Sequence, residues 1–151
     1  MQFLDQEKLN HKVGLYFHVI TAVDRTTHTF VGWAVVPERD HATLQAVVDQ
    51  APQAQAYYSD GFRTYADLVY GPAQYTAMPD KSQTYSVEGG NADLRHYLAR
   101  LGRKSRCFSR CLVALRRAVK LFIWCYNQRQ LWHQRYPTYP RHVCDFVPLL
   151  C

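Results

Sequence analysis

The chain has 151 residues, which is enough for one domain with a hydrophobic core, and no apolar run is long enough for a membrane span or a signal peptide. Its net charge is +6, but residues 1–93 carry 6 Lys/Arg and 11 Asp/Glu whereas residues 94–151 carry 12 and 1. Such a basic half usually binds a polyanion, most often nucleic acid, with a solvated basic surface as the simpler alternative. We therefore predict one cytoplasmic domain over 1–151, in which 136–151 wraps back after the last helix, and exclude a membrane protein.

The order of predicted elements is typical of a mixed sheet flanked by helices. Two segments rich in β-branched and aromatic residues, 15–23 and 29–36, are joined by a short polar link and predict a β-hairpin. The following pattern predicts, in order, a helix at 42–48, a strand at 54–59, a short helix at 61–69, a strand at 73–78, and long helices at 82–101 and 109–136, the last capped by Ser109.

Two carboxylates are candidates for chemistry. Asp60 directly follows a predicted strand, at the end of the sheet where ligands gather in open α/β folds, although capping of the next helix is the competing role. Glu88 lies near the start of the first long helix, on the same flank as Asn91 and Arg95. Two carboxylates without cysteine or histidine favour a hard ion such as Mg²⁺, or Mn²⁺, and suit phosphoryl transfer.

The five cysteines are odd in number and contain no C-x-x-C pair, so the sequence supports neither a disulfide framework nor a zinc ribbon. The histidines add no spacing that would complete a tetrahedral site. We expect reduced structural thiols.

Four segments carry a resemblance to a known family. They are Y-Y-S-D-G-F-R-T-Y (57–65), K-S-Q-T-Y-S-V-E-G-G-N-A-D-L-R-H-Y-L-A-R-L (81–101), R-K-S-R-C-F-S-R (103–110) and F-I-W-C-Y-N-Q-R-Q-L (122–131). Together they resemble the catalytic part of insertion-sequence-one-type transposases. The resemblance implies a ribonuclease-H-like fold, an Asp-Asp-Glu triad with two divalent ions, and DNA strand cleavage and transfer on element ends and target by a homo-oligomer, without a small-molecule substrate. Asp60 matches the second acid and Glu88 the third.

The first acid of the triad is harder to place. Asp24, in V-D-R, lies on a strand that in such a sheet runs antiparallel to the catalytic ones, so we interpret it as a hairpin turn residue. Asp5 has a suitable spacing, but the residues after it lack strand-like alternation. Alternatively, residues 3–8 match the end of the family's first strand and the polar turn beyond it. The catalytic aspartate would then lie upstream of Met1, and the chain would be N-terminally truncated. The family's upstream zinc-binding and helix-turn-helix region has no counterpart before residue 15.

The basic residues predict sequence-tolerant contacts with DNA phosphates. The predicted DNA-binding residues are Asn91, Arg95, Arg100, Arg103, Lys104, Arg106 and Arg110. Aromatic residues of the last helix could stack on bases, but at helical spacing most are expected in the core; they are Trp124, Tyr126, Trp132 and Tyr136.

Three functions remain open. The first is a transposase of the Asp-Asp-Glu type. The second is an inactive remnant that only binds DNA or a full-length transposase, and the third is a host ribonuclease-H-like nuclease that cleaves without joining strands.

Overall fold

Five strands and four α-helices make up the described part of the chain, which in this computed structural model comprises residues 2–6, 17–59, 62–78, 85–101 and 111–148. The strands are β1 (Gln2–Gln6), β2 (His18–Val23), β3 (Phe30–Val36), β4 (Ala56–Ser59) and β5 (Gln74–Ala77). The helices are α1 (His41–Gln50), α2 (Arg63–Ala66), α3 (Tyr85–Tyr97) and α4 (Leu112–Arg135), with 3₁₀ turns at Ala99–Leu101 and Val143–Phe146. None of these helices is long and apolar enough to cross a membrane.

The described strands form one mixed sheet in the order β3-β2-β1-β4-β5. The first three strands are antiparallel, whereas β4 runs parallel to β1 and β5 parallel to β4. In the register, Gln2 lies between Val23 of β2 and Tyr58 of β4, and Phe3 lies between Ala22 and Ser59. The mixed α/β class is therefore confirmed, as is the prediction that the strand ending before Asp24 runs antiparallel to the one ending before Asp60.

Alternation along β2 divides the core between the two faces of the sheet. Val19 and Val23 belong to the cluster formed with α3 and α4, which also contains Phe30 and Val143 of the C-terminal segment. Ile20 and Ala22 belong to the other cluster, formed with α1, α2, β4 and β5. Helices thus cover both faces, and the chain after α4 returns to contribute Val143 to the core.

Most predicted elements are confirmed, with boundary changes. The hairpin and α1 differ from prediction by one to three residues, and α1 is capped by Asp40, whose side chain accepts a hydrogen bond from the Thr43 N–H at 2.8 Å. The described part of α3 begins at Tyr85; 79–84 lie outside the described residues. The predicted cap at Ser109 also lies outside them, and the N-cap position of α4 is occupied by Cys111.

One prediction about the first strand was wrong. We expected the surroundings of Asp5 to be unlike a strand, because the residues after it do not alternate. In the structure Gln2–Gln6 forms β1, with Asp5 opposite Ile20 of β2. Pairing with strands on both sides supplies the stabilisation that the local sequence does not indicate.

Helix α4 covers the outer edge of β3 with side-chain hydrogen bonds. Asn127 accepts from the Phe30 N–H and donates to the Phe30 carbonyl, both at 2.8 Å. Arg116 donates from Nε to the Val35 carbonyl at 2.9 Å. These bonds satisfy main-chain groups that an edge strand would otherwise expose, and they fix the direction of α4 along β3.

Helix α3 approaches the sheet closely at Gly90. A Cβ added to Gly90 would lie 2.9 Å from Cζ of Phe30, whereas one added to Gly89 would meet nothing within 4 Å. The Phe30 ring has little room to move, because it packs against Phe122 and Tyr126 with centroid distances of 6.3 and 5.0 Å. Gly90 therefore sets the distance between α3 and the sheet.

We predict opposite effects for the Gly89→Ala and Gly90→Ala substitutions. Alanine at exposed Gly89 should raise the free energy of unfolding by about 0.5–1 kcal/mol, since glycine is a poor helix former. Alanine at Gly90 should lower it by about 1–3 kcal/mol relative to Gly89→Ala, because the added methyl group overpacks Phe30. Urea unfolding of both variants measures the difference, and equal stability would contradict the assigned contact.

Candidate active site

The carboxyl end of β4 is fixed by buried contacts. Ser59, its last residue, is fully buried and pairs with Phe3 of β1. Its hydroxyl lies 2.8 Å from that of Tyr75 in β5, and its carbonyl accepts from the Met78 N–H at 3.0 Å. Asp60 is the next residue in the chain and lies outside the described residues. The structure therefore defines the strand end that carries Asp60, but not the position of its carboxylate.

Asn91 anchors α3 on the sheet one row beyond the pair formed by Phe3 and Ser59. Its side chain has 0% exposure, and its Oδ1 accepts a hydrogen bond from the Thr21 hydroxyl at 3.1 Å. Thr21 is the register partner of Leu4, the residue after Phe3 in β1. In the structure the buried side chain of Asn91 holds α3 over β2, and its predicted contact with DNA stays a prediction.

The two flanks of α3 carry different charges. Asp93 forms an ion pair with Arg129 of α4 at 2.8 Å, so this flank faces α4. At 3.6 residues per turn, Glu88 and Arg95 share a direction about 140° away from Asp93. Because α3 packs on β1 and β2 while α4 packs on β3, the Glu88 flank faces the β4 side of the sheet. Glu88 is half-buried and Arg95 is exposed.

The remaining predicted carboxylate, Asp5, lies on β1 two residues beyond Phe3, which pairs with the last residue of β4. Its side chain is outside the described part of the chain. The backbone of Asp5 and the end of β4 therefore lie on neighbouring strands, two rows apart, and Asp5 is opposite Ile20, which packs in the cluster on the face away from α3. No group of three His, Cys, Asp or Glu side chains comes together among the side chains that are described, which include neither Asp5 nor Asp60.

Most of the predicted basic stretch cannot be placed. Arg100 belongs to the 3₁₀ turn Ala99–Leu101, but its side chain is not described. The other members fall outside the described residues; they are Arg103, Lys104, Arg106 and Arg110.

One basic residue near the site was missed. Arg25 follows β2, and its guanidinium lies over the ring of Tyr58 in β4, 5.0 Å from the centroid. The V-D-R motif was interpreted only through Asp24, although an arginine beside a turn aspartate was visible in the sequence.

The aromatic residues of α4 divide between core and surface. Most of the four were expected in the core, and this was wrong: Tyr126 is buried, whereas Trp124 is 47% exposed, Tyr136 is exposed and Trp132 is only partly buried. Trp132 stacks near Tyr136, with ring centroids 4.5 Å apart, and lies beneath the guanidinium of Arg141. The cysteines that are described, Cys111, Cys125 and Cys144, are free thiols.

Comparison with known proteins shows to which family the chain belongs. The family model described as IS1 transposase matches residues 12–130. The chain belongs to the IS1 transposase family. The predicted resemblance is thus confirmed, and the matched region contains Asp60 and Glu88 and begins after Asp5.

A relative of this IS1-family chain is the insertion element IS1 protein InsB of Shigella flexneri. The two are 35% identical over 91 residues, which is 59% of this chain and 66% of that protein. The chain therefore spans just under two thirds of the length of the curated relative that it matches. No solved structure matches the chain.

Asp24 is a turn residue, as the sequence analysis favoured. Its Oδ2 accepts hydrogen bonds from the N–H and the hydroxyl of Thr27 at 2.8 and 2.6 Å. Partial burial alone would raise the pKa of Asp24, but the bonds from Thr27 outweigh it and hold the pKa below its usual value. The turn is also tied to α4, because Gln134 donates to the Thr27 carbonyl at 3.0 Å.

We predict that Asp24 makes stability depend on pH. Its folded pKa is below the unfolded value of about 3.9, so its contribution is present above that value and lost as pH falls through the folded pKa. Asp24→Asn should cost about 1 kcal/mol at neutral pH and flatten the loss of stability below about pH 5. Urea unfolding as a function of pH measures both.

The matched variant is Thr27→Val, which removes the hydroxyl donor but keeps the N–H. Its free energy of unfolding and the pH dependence of that energy should lie between those of the wild type and of Asp24→Asn. A pH profile of Asp24→Asn identical to that of the wild type would show that the carboxylate has no such role.

Proposed function

We propose that this chain is the catalytic part of an Asp-Asp-Glu transposase, which cleaves DNA strands and transfers the ends of an insertion element to a target. The observation that carries the proposal is the direction of Glu88: within a member of the IS1 transposase family, its flank of α3 faces the strand end that leads into Asp60. Family membership also favours a transposase over a host nuclease that cleaves without joining.

The strand order supports a ribonuclease-H-like sheet for this domain. Three antiparallel strands are followed by two that run parallel to the first, with helices on both faces. This is the arrangement that the resemblance implies, with the strand carrying Asp5 beside the strand that precedes Asp60. The proposal therefore takes Asp5 as the first acid, Asp60 as the second and Glu88 as the third.

These three carboxylates suit Mg²⁺ or Mn²⁺, because hard divalent ions prefer oxygen ligands. When bound, such a metal pair supplies charge stabilisation for the attacking and leaving oxygens of a phosphodiester. The chain's own contribution is positional. Asn91 and Gly90 hold α3 against the sheet, and this contact determines how far the Glu88 carboxylate reaches towards β4.

DNA contacts in this proposal come from the basic C-terminal half, which carries 12 Lys/Arg and 1 acid. Exposed Arg95 lies on the Glu88 flank and would contact a phosphate close to the carboxylates. The basic stretch Arg100, Arg103, Lys104, Arg106 and Arg110 follows α3 directly in the chain. The working form would be a homo-oligomer on DNA, in the nucleoid.

The proposal predicts that Glu88→Gln abolishes Mg²⁺-dependent strand transfer while the fold is retained. Glutamine keeps the size of the side chain but removes the charge that holds a cation, so the rate should fall by at least about 10²-fold. The assay uses labelled element ends and a target duplex, and circular dichroism checks folding. Asp60→Asn and Asp5→Asn should behave in the same way.

Asp93→Asn is the matched control, because it neutralises an acid on the opposite flank of the same helix. It should lower stability by breaking the pair with Arg129 and leave the rate per folded molecule within about twofold of wild type. An active Glu88→Gln protein, or equal losses in both variants, would refute the role of Glu88.

The alternative is a chain that binds DNA, or a full-length transposase, without catalysis. The basic charge of the C-terminal half favours this alternative independently of the carboxylates. Filter binding to duplex DNA should then weaken steeply between roughly 50 and 200 mM salt. Binding without Mg²⁺-dependent nicking supports this alternative; flat or absent binding removes it.

A further inference from the structure

The turn between β2 and β3 is held rigidly from several sides. Besides the bonds from Thr27 to Asp24, the Asp24 N–H donates to the Thr29 carbonyl at 2.9 Å. His28 has a positive φ of 55°, and Gln134 of α4 holds the Thr27 carbonyl. Asp24 therefore organises a turn whose next residue, Arg25, has a defined position although it lies at the tip of a hairpin.

Arg25 reaches across β1 to the end of β4. Its guanidinium lies 5.0 Å from the ring centroid of Tyr58, and Gln2 of β1 separates Val23 from Tyr58 in the register. Tyr57 belongs to the cluster with α1 and α2, so by alternation Tyr58 faces the side of the sheet that α3 covers. Arg25 thus lies on the same face as Glu88, beside the residue two positions before Asp60.

The chemistry of this contact leaves the arginine able to bind an anion. When the flat face of a guanidinium stacks on a ring, its N–H donors still point outwards from its edge and can donate to an anion. None of the described carboxylates forms an ion pair with Arg25. A guanidinium that is held on a ring and has no ion-pair partner among the described carboxylates suits a phosphodiester group.

We propose that Arg25 binds a DNA phosphate next to the candidate catalytic carboxylates, with Tyr58 holding its guanidinium in place. This inference rests on the proposed function, because the phosphate is that of the DNA strand which the site would cleave or join. Asp24 acts as a positioning residue, since it fixes the turn that carries Arg25.

The test compares Arg25→Ala and Arg25→Lys with Arg39→Ala in the full chain. Arg39 is a matched control because its guanidinium also stacks on a ring, that of Phe62 at 4.2 Å, but Phe62 packs against the cluster on the opposite face. The affinity for a fluorescent DNA duplex of mixed sequence is measured by anisotropy over roughly 50–200 mM salt, with Ca²⁺ in place of Mg²⁺ to prevent turnover. Strand transfer is measured separately with Mg²⁺.

Loss of one phosphate contact should reduce the slope of log affinity against log salt by about 0.9 in Arg25→Ala. Arg25→Lys should keep most of the slope, because it keeps the charge, but should transfer strands about tenfold more slowly, because it loses the fork and the stacking. Arg39→Ala should keep the wild-type slope and rate.

An unchanged slope in Arg25→Ala, or an equal change in Arg39→Ala, overturns the inference. One outcome would have the wild type transfer strands, Glu88→Gln lose this activity and Arg25→Ala behave as the wild type. In that case only this inference fails. If Glu88→Gln remains active, the proposed function fails while the slope still reports on Arg25. Absence of salt-dependent DNA binding by the wild type refutes both.

Discussion

The packing of Phe30 is the constraint on which the rest of the structure depends. Its ring limits how closely α3 approaches through Gly90 and packs edge-on against Phe122 and Tyr126 of α4. Its main chain is held by both polar atoms of the Asn127 side chain. One residue at the start of β3 thus sets the positions of both helices on this face. Since Glu88 lies on α3, its carboxylate depends on a contact that involves no catalytic group.

Charges of the same kind have different roles on the two flanks of α3. Asp93 is neutralised by Arg129, an arrangement that joins two helices and adds modestly to stability at a half-exposed position. Glu88, five residues earlier, points towards β4 and shares its flank with exposed Arg95. The flank that faces α4 is therefore structural, and the other carries the side chains that the proposed function uses. Between them, buried Asn91 prevents the helix from rotating, because rotation would break its bond with Thr21.

The sequence predicted those elements whose stability is local or whose periodicity is strong. The hairpin, α1 and α4 have clear alternation or helical spacing, and β3 ends at Val36, directly before Pro37. The sequence did not predict β1, which is a strand because β2 and β4 pair with it on both sides. It also did not predict that Asn91 is buried, although Asn91 is four residues after Val87 and three before Leu94, both buried. That spacing was the available signal. The proposed convergence of Asp5, Asp60 and Glu88 would depend on tertiary packing, which no local pattern encodes.

The connections of the sheet give an independent reason for a ligand site between β1 and β4. The chain after β1 turns to β2 on one side, whereas the chain after β4 turns to β5 on the other. Strands whose connections diverge leave a crevice at their carboxyl ends, and this is where open α/β sheets bind ligands. Strand β1 carries Asp5, and the end of β4 leads into Asp60, on either side of this crevice. Arg25 approaches β4 from the hairpin, and its guanidinium stacks on Tyr58, one residue before the last residue of β4.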